Sequence, residues 1–310
     1  MTHVATLVAA PGSSLETPHV DRAMSVLPGG EARTLSDRRA VDLLFSPGRL
    51  DDPNVAPLGE AVLLSDYRNA IADAIDADAA RIDVVVQPVR HRRKKLFLAD
   101  MDSTMIEQEC IDELADYVGL KPQVAEITER AMRGELPFEP ALRERVALLA
   151  GLSASIVPEI VAERITLTPG GSALVRTMRA NGAYTCLVSG GFTLFTGPVS
   201  EMIGFHEHRA NVLLVEDGKL VGRVEEPILG RAAKYATLVA LRDAHGLDDA
   251  ETMAVGDGAN DLAMLGEAGL GVAFHAKPAV AEAAAARIDH GDLRALLYVQ
   301  GYGDGEIVEG

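Results

Sequence analysis

The sequence predicts an α/β protein in which a mostly parallel sheet with an inserted helical cap follows a smaller N-terminal α/β domain. Beyond residue 96, short apolar runs that suit buried strands alternate with amphipathic helical stretches. Polar residues end several of these runs, at the edge where parallel sheets bind their ligands. The chain has 310 residues, 48% of them hydrophobic, which suits two domains of about 150 residues each.

Residues 1–90 form the predicted N-terminal domain. Its predicted strands are VATLVAA, RRAVDLLFS and RIDVVVQPV, and its predicted helices are LETPHVDRAMSVL and GEAVLLSDYRNAIADAI. This order resembles the βαββαβ pattern of ACT-like regulatory modules. The segment carries no ligand-binding signature, so two roles stay open for it: sensing of an amino acid such as serine, and formation of a homodimer.

Residues 91–310 form the second predicted domain. The basic run HRRKK at 91–95 is interpreted as a solvated linker between the two domains. The strands LFLAD, YTCLVSGG, TMAVGD and GLGVAF then alternate with helices such as SALVRTMRANG and KYATLVALRDAHG. From about 104 to 168 the chain is helical, too long and too regular for a loop, and we predict a cap inserted after the first strand. Asp217 and Gly218 lie between two alternating runs and predict a hairpin.

The composition argues against several classes of protein. A net charge of −17 disfavours nonspecific binding to nucleic acid or to an anionic membrane. No apolar run is long enough to cross a bilayer, and no basic leader precedes the first one, so a secretory signal is not expected. The two cysteines, Cys110 and Cys186, indicate a reducing, cytoplasmic location. An anionic substrate would need a local cation in so acidic a protein.

Two carboxylates follow the first buried strand of the second domain. In LFLADMDST, Asp100 and Asp102 are two residues apart, and on a strand that continued outward both would point to one side. One could then act as a nucleophile and metal ligand while the other works as acid and base. Taken alone, the same pair also suits a helix cap or a turn.

Polar groups follow the next predicted strand as well. VSGGF places Ser189 and the flexible pair Gly190 and Gly191 at its end. A hydroxyl and free backbone N–H groups at such a position can hold phosphoryl oxygens. Lys234 then begins a helix after a loop that contains Gly and Arg, and by itself it is equally a solvated charge.

A further acidic group lies on a loop after a later strand. VGDGAND places Asp257, Asn260 and Asp261 there, and by themselves these residues also suit a turn with a helix N-cap. Each of the four groups therefore has an ordinary interpretation of its own. Their occurrence in this order makes coincidence a poor explanation and favours a site for phosphoryl chemistry.

The ordered set resembles the haloacid dehalogenase superfamily of phosphotransferases from about residue 96 onward. Within the superfamily the similarity is greatest to the phosphoserine phosphatases, through DMDSTMIEQECIDELA, FEPALRERVALLAG, VSGGFT and GDGANDLAML. The resemblance implies a Rossmannoid parallel sheet with a helical cap. It also implies magnesium-dependent hydrolysis of O-phospho-L-serine through an aspartyl-phosphate, the last step of serine biosynthesis.

The resemblance assigns a role to each residue of the set. Asp100 would attack phosphorus, and Asp102 would protonate the leaving serine oxygen and then activate water. Mg²⁺ would be held by Asp100, by Asp102 through its backbone carbonyl, and by Asp257. Asp261 would support the waters of the metal or Lys234. The implied contacts of the phosphate group are Ser189, the Gly190 amide, Lys234 and Asn260.

The cap supplies candidates for recognition of the serine moiety. Arg145 has the planar fork that suits a carboxylate, and Glu109 carries a charge that suits an ammonium group. From the residues alone, the favoured interpretations are an exposed helix arginine for Arg145 and a carboxylate at a helix start for Glu109. The resemblance favours binding roles for both, with Met132 and Phe138 lining the apolar part of the pocket.

Several alternatives stay open. In the cation-pumping members of the superfamily a Thr stands two residues after the nucleophile, and Asp102 at that position favours a phosphatase. A phosphotransferase that passes phosphate from phosphoserine to homoserine, or another capped phosphatase, would carry the same core. An amino-acid-binding regulatory protein with a silent core is a different class, and the intact Asp100, Lys234 and Asp257 argue against it.

Overall fold

The computed structural model describes residues 1–47, 59–132 and 135–309. Its N-terminal domain is a four-stranded antiparallel sheet in the order β2-β3-β1-β4 with helices on one face. The strands are β1 (His3–Ala9), β2 (Glu31–Ser36), β3 (Ala40–Phe45) and β4 (Ile82–Pro88). The helices are α1 (Thr17–Ser25), α2 (Gly59–Ile75) and α3 (Ala77–Ala80).

The observed order is βαββαβ, the pattern that the sequence resembles, with the short α3 added before the last strand. Strand β2 was not among the predicted strands, because most of its side chains are exposed and it shows no apolar alternation. Strand β1, in contrast, is buried along its whole length. Ala5 and Leu7 pack on the helices, while Val8 belongs to a buried cluster shared with the second domain, so both faces of the strand are covered.

The second domain contains a six-stranded parallel sheet in the order β12-β11-β10-β5-β6-β7, which confirms the predicted class. Its strands are β5 (Leu96–Ala99), β6 (Tyr184–Phe192), β7 (Glu207–Asn211), β10 (Thr252–Gly256), β11 (Leu270–Phe274) and β12 (Ala286–Ile288). A separate hairpin consists of β8 (Leu213–Glu216) and β9 (Lys219–Val224). Asp217 and Gly218 form its turn with positive φ, as predicted.

Helices cover the sheet and form the inserted cap. Those described in the cap are α4 (Cys110–Tyr117), α5 (Lys121–Met132), α6 (Phe138–Ala147) and α7 (Val157–Arg164). Those that follow are α8 (Gly171–Ala180), α9 (Thr193–Ile203), α10 (Arg231–Ala244), α11 (Leu262–Glu267), α12 (Pro278–Ala283) and α13 (Ala295–Val299). Ile106 pairs with Leu167 in an antiparallel bridge where the chain enters and leaves the cap.

The β8–β9 hairpin anchors the C-terminal part of the cap. The Gly151 amide donates to the Leu220 carbonyl, and the Leu220 amide donates to the Leu152 carbonyl, both at 2.8 Å. A Cβ atom on Gly222 would lie 2.8 Å from the Cβ of Ala150, so only glycine permits this close approach. The hairpin therefore ties the cap to the domain that carries the sheet.

The two domains share part of one core. Val8 and Val85 of the N-terminal sheet belong to the same buried cluster as Leu296 and Tyr298 of α13. Asp83 adds a polar contact: its carboxylate accepts hydrogen bonds from the backbone amides of 289, 290 and 291 at 2.8, 3.1 and 2.7 Å. The N-terminal domain is therefore packed firmly against the second domain.

The segment between the domains is not a solvated linker, and that interpretation is wrong. The Arg92 guanidinium group donates to both Asp42 oxygens, at 2.6 and 2.5 Å, and to the Val299 carbonyl at 2.8 Å. Lys94 is buried and donates to the Ala250 carbonyl at 2.7 Å. These cations fold back into the interface because carboxylate and carbonyl oxygens there satisfy their donors.

Among the described residues, none of the helices has the length and apolar character of a membrane span.

Candidate active site

Asp100 lies where β5 ends, at the centre of the parallel sheet. Its Oδ1 atom accepts a hydrogen bond from the Met101 amide at 2.7 Å and lies 2.7 Å from the Lys234 Nζ. Both contacts go to one oxygen, which leaves Oδ2 for another partner. Burial raises the pKa of Asp100 well above its usual range, and the Asp261 charge raises it further while Lys234 opposes both. The Asp100 carboxylate is therefore buried and oriented, and Lys234 favours its ionised form.

Asp102 reaches the same place through a turn rather than a strand, so the predicted strand geometry is wrong. The chain turns over Met101–Met105, with Ser103 at a φ of 53°. The Cys110 amide donates to Asp102 Oδ1 at 3.1 Å, and the Ser189 hydroxyl donates to Oδ2 at 3.4 Å. Burial, followed by the Glu109 charge, raises the pKa of Asp102 to about 7. A carboxyl group with a pKa near neutrality suits an acid and base.

Lys234 lies in the first turn of α10 and is completely buried, so it is not a solvated charge. Its Nζ atom lies 2.7 Å from Asp100 Oδ1 and 2.7 Å from Asp261 Oδ1. Burial alone lowers the pKa of Lys234, but the two carboxylates raise it above its usual value. The lysine is therefore a fixed positive charge between the ends of β5 and β10.

The loop after β10 brings the later acidic group to the same edge of the sheet. Asp261 accepts from Lys234 with Oδ1 and from the Gly258 amide with Oδ2, at 2.7 and 3.0 Å. A Cβ atom on Gly256 would lie 2.4 Å from the Asp261 carboxylate, so this strand end has to be glycine. Asn260 and Asp257 are half-buried in this loop. Burial and the Asp261 charge raise the pKa of Asp257 to about 6.

Three carboxylates at this edge of the sheet lie close enough together to be candidate ligands of a divalent cation. One oxygen each from Asp100, Asp257 and Asp261 lie within 4.8 Å of one another, and hard cations such as Mg²⁺ and Ca²⁺ prefer oxygen ligands. Asp261 already uses both oxygens for Lys234 and Gly258, so Asp100 and Asp257 are the better ligands. Burial, followed by the negative charge of Asp261, raises the pKa of both residues, and a bound cation would offset that negative charge. The side chain of Asp102 lies outside this group.

The last part of β6 lies beside Asp102, and its pairing with β7 is irregular between Val188 and Phe192; this irregular stretch, residues 189–191, is called the β6 loop. The Gly191 amide donates to the Ser189 hydroxyl at 2.8 Å. A Cβ atom on Gly191 would lie 3.0 Å from Asp102 Oδ2 and 3.0 Å from Ser189 Oγ, so a side chain there would crowd both. Since β6 is the direct neighbour of β5, this loop faces the same sheet edge as Asp100.

Two predicted cap residues lie next to this edge. A Cβ atom on Gly190 would be 3.5 Å from the Phe138 ring, and one on Gly230 would be 3.2 Å from it. Phe138 therefore covers the β6 loop and the start of α10. Glu109 precedes α4 and accepts a hydrogen bond from the Ser103 hydroxyl at 2.8 Å.

Arg145 is half-buried in α6. Its Nε donates to the Ala141 carbonyl at 3.3 Å and its Nη1 to the Thr128 hydroxyl at 3.4 Å, both long bonds. Burial lowers its pKa, against the opposing charges of Asp112 and Glu109. Within the described part of the chain, this guanidinium group forms no salt bridge. The prediction for Met132 concerns a side chain outside the described residues.

Arg143, on the same helix, contrasts with Arg145. It is exposed, as expected from the sequence, and pairs with Glu226 at 2.8 Å and with Glu139 at 3.3 Å. Among the residues that the structure describes, the partly buried Arg145 therefore has only long neutral hydrogen bonds, while the exposed Arg143 has two carboxylate partners. An anionic ligand would complete the contacts of the former.

Sequence reasoning missed one buried residue of this region, Asn211. It ends β7 and contacts the backbone of Gly190 and of Leu229 through its side-chain amide. Its sequence setting, HRANVLL, looks like an ordinary passage from a strand to a hairpin. Nothing in this stretch of the sequence distinguishes the Asn or identifies its partners.

Two bacterial phosphoserine phosphatases are similar to this chain in sequence. The phosphoserine phosphatase of Streptomyces coelicolor is 45% identical over 270 residues, which cover 87% of this chain and 66% of that protein. The phosphoserine phosphatase of Albidiferax ferrireducens is 47% identical over 215 residues, which cover 68% of this chain and 91% of that protein. This chain thus spans slightly less than two thirds of the Streptomyces protein and most of the other.

A solved structure extends the similarity to both domains. The probable phosphoserine phosphatase from Vibrio cholerae superposes with a TM-score of 0.74 at 30% identity, over 98% of this chain and 88% of that one. The sequence model of the haloacid dehalogenase-like hydrolases matches residues 97–266, which contain the aspartates, the β6 loop and the buried lysine. The chain therefore belongs to the haloacid dehalogenase-like hydrolase family.

Proposed function

We propose that this protein is a magnesium-dependent phosphoserine phosphatase, which hydrolyses O-phospho-L-serine to L-serine and phosphate in the last step of serine biosynthesis. The observation that carries the proposal is the buried Lys234, held between Asp100 and Asp261 at 2.7 Å from each. This fixed cation lies where a phosphoryl group would meet the Asp100 carboxylate. Relatives named phosphoserine phosphatase at 45% and 47% identity support the choice of substrate.

The reaction proceeds in two transfers of the phosphoryl group. Asp100 Oδ2 attacks phosphorus while Lys234 and the Met101 amide hold Oδ1. As the new P–O bond forms, the bond from phosphorus to the serine oxygen breaks, and protonated Asp102 gives its proton to that oxygen. The Asp102 carboxylate then removes a proton from water. The water oxygen attacks phosphorus, and the bond to Asp100 breaks, which restores the carboxylate.

Charge stabilisation is the main task of the surrounding residues. Ser189, the Gly190 amide and Lys234 would contact the phosphoryl oxygens, with Asn260 on the same side. Mg²⁺ would be held by Asp100, Asp257 and the backbone carbonyl of Asp102. When bound, it supplies positive charge that offsets the negative charge of the phosphoryl group. The lysine and the cation together would let a protein of net charge −17 bind an anionic substrate.

Recognition of the serine moiety would come from the cap. Arg145 forms no salt bridge with the described residues and would pair with the α-carboxylate. Glu109, close enough to raise the pKa of Asp102, would pair with the ammonium group. Phe138 covers Gly190 and Gly230 and would exclude water from the phosphoryl group, and Met132 is proposed for the same apolar wall.

The first test is phosphate release from a panel of phosphorylated amino acids and sugar phosphates, with Mg²⁺ and with EDTA. We expect turnover that prefers O-phospho-L-serine and is lost in EDTA. A preference for sugar phosphates would keep the Asp100 chemistry and refute the roles of Glu109 and Arg145. Formation of O-phosphohomoserine when homoserine is added would identify a phosphotransferase. No turnover on any compound would favour the regulatory protein with a silent core.

The second test is Arg145→Ala, with Arg143→Ala as the matched control on the same helix. Loss of a charged partner from a desolvated pair costs about 2–3 kcal/mol, so kcat/KM for O-phospho-L-serine should fall by roughly 30- to 150-fold. Hydrolysis of p-nitrophenyl phosphate, which has no carboxylate, should change little. Arg143→Ala should leave both activities near those of the wild type. Equal losses on both substrates after Arg145→Ala would mean that Arg145 is structural.

The N-terminal domain has two proposed roles, homodimerisation and serine sensing. Light scattering of the full chain tests the first role. Calorimetric titration of the full chain with L-serine tests the second, with the active site blocked by a phosphonate analogue of O-phospho-L-serine.

The free, buried cysteines support the proposed cytoplasmic location.

A further inference from the structure

The side chain of Asn211 connects two backbone segments of the active site. It ends β7 and is only 3% exposed. Its Nδ2 atom donates to the Gly190 carbonyl at 2.9 Å and to the Leu229 carbonyl at 3.1 Å. Its Oδ1 atom accepts from the Leu229 amide at 2.6 Å. Both donor hydrogens and the acceptor oxygen of the amide therefore have backbone partners.

The contact with Gly190 completes the restraint of one peptide plane. The carbonyl of the peptide between Gly190 and Gly191 accepts from Asn211, and the N–H of the same peptide donates to the Ser189 hydroxyl at 2.8 Å. Two consecutive glycines have more conformational freedom than any other pair, so without both bonds this peptide could rotate. The Gly190 N–H belongs to the adjacent peptide plane, which meets this one at the Gly190 Cα, so fixing this plane restrains the direction of that N–H.

The contact with Leu229 acts on the segment that leads to the buried lysine. Leu229 precedes Gly230, and the Lys234 amide donates to the Gly230 carbonyl at 3.2 Å in the first turn of α10. The two hydrogen bonds between Asn211 and Leu229 hold this segment as a neighbouring strand would. Gly190 and Gly230 also both lie against the Phe138 ring, so the two segments converge at one point.

We propose that Asn211 is a positioning residue for phosphoryl transfer: it fixes the β6 loop relative to the start of α10, and hence the Gly190 amide and Ser189 hydroxyl relative to Lys234. The proposal rests on the phosphatase reaction proposed above. One buried side-chain amide would thus set the relative positions of groups on two different elements, β6 and α10. No contact between Asn211 and the substrate is required.

The sharpest test is Asn211→Asp, which is nearly isosteric. The carboxylate can still accept from the Leu229 amide, but it cannot donate to Gly190 or to the Leu229 carbonyl. A misplacement of about 1 Å in such a site can cost about 100-fold in rate. We therefore expect kcat to fall by roughly 30- to 100-fold for both O-phospho-L-serine and p-nitrophenyl phosphate, with KM for O-phospho-L-serine nearly unchanged.

Orthovanadate inhibition gives a readout that a general loss of stability would not move. Vanadate occupies a phosphoryl site, so its inhibition constant should rise by a similar factor, while that of L-serine should stay the same. Asn211→Ser, which keeps one hydroxyl donor, should fall between Asn211→Asp and the wild type in kcat. It also provides a second folded variant if Asn211→Asp does not fold.

Gln87→Ala is the matched control for a lost buried amide. Gln87 is buried in the interface between the domains and donates to the Val299 carbonyl at 2.7 Å. This variant should lower the unfolding temperature without changing kcat or vanadate inhibition. The proposal is wrong if folded Asn211→Asp or Asn211→Ser keeps the wild-type kcat on p-nitrophenyl phosphate. It is equally wrong if Gln87→Ala loses as much kcat as the Asn211 variants.

The choice of substrates separates this proposal from the proposed function. If the wild type hydrolyses p-nitrophenyl phosphate but not O-phospho-L-serine, the proposed substrate is wrong. The effect of Asn211 on phosphoryl transfer is then decided by p-nitrophenyl phosphate and vanadate alone.

Discussion

Asp100→Asn is expected to abolish phosphate release from O-phospho-L-serine, with kcat lowered by about 10⁴-fold or more, as for loss of other catalytic nucleophiles. The side-chain amide has no anionic oxygen to attack phosphorus. Its oxygen can still accept from Lys234 and from the Met101 amide, the two contacts that orient Asp100 Oδ1. The substitution therefore removes the nucleophile and preserves the geometry around it.

The same variant should keep the fold. Burial and the Asp261 charge make the Asp100 carboxylate costly in the free protein, as its raised pKa indicates, and Lys234 retains Asp261 as its partner. The unfolding temperature, followed by circular dichroism without added metal, should equal or exceed that of the wild type. Asp116→Asn is the control: this carboxylate is exposed and pairs with Arg164 in the cap, and its loss should not affect kcat. Turnover retained by folded Asp100→Asn would remove Asp100 as the nucleophile.

The meeting of distant groups at one edge of the sheet could be predicted from the sequence. Asp100, Ser189 and Asp257 each follow an apolar run, and in a parallel sheet the carboxyl ends of strands share one edge. The structure adds that β6, β5 and β10 are consecutive neighbours. Strand order is set by packing between segments far apart in the chain, so the run of apolar residues in each strand does not specify it.

Residues whose partners are distant were the ones that the sequence did not reveal. Arg92 looked like part of a solvated basic run, but its partner Asp42 is 50 positions away in the chain. Lys234 looked equally like a surface charge, and the carboxylates that explain its burial lie on two other loops. Asn211 had no distinguishing signal at all, because its role depends on the backbone of Gly190. Local pattern gives the type of element, whereas burial of a polar group depends on partners that only the fold supplies.

Lys234→Met is expected to affect both activity and stability strongly. Removal of a fixed charge that stabilises the phosphoryl group should lower kcat by about 10³-fold or more. Removal of one partner from a buried ion pair, which leaves the other unneutralised, costs about 3–5 kcal/mol of unfolding free energy. Here Lys234 is shared by two buried carboxylates, Asp100 and Asp261, so both lose their cation at once.

Lys95→Met is the control that isolates the effect of burial. Lys95 also lies 2.7 Å from a carboxylate, that of Glu251, but its side chain is 61% exposed. An exposed pair of this kind contributes at most about 1 kcal/mol. The N–O distance is the same in both pairs, so urea unfolding of the two variants in EDTA shows how burial changes the loss of unfolding free energy. Phosphate release with Mg²⁺ measures activity. We expect Lys95→Met to change neither the unfolding free energy nor kcat appreciably.

If Lys234→Met were as stable as Lys95→Met, the two carboxylates would be protonated without the lysine, and Lys234 would serve catalysis more than folding. If Lys234→Met also kept its kcat, the lysine would have no part in phosphoryl transfer, and the observation on which the proposed function rests would be lost.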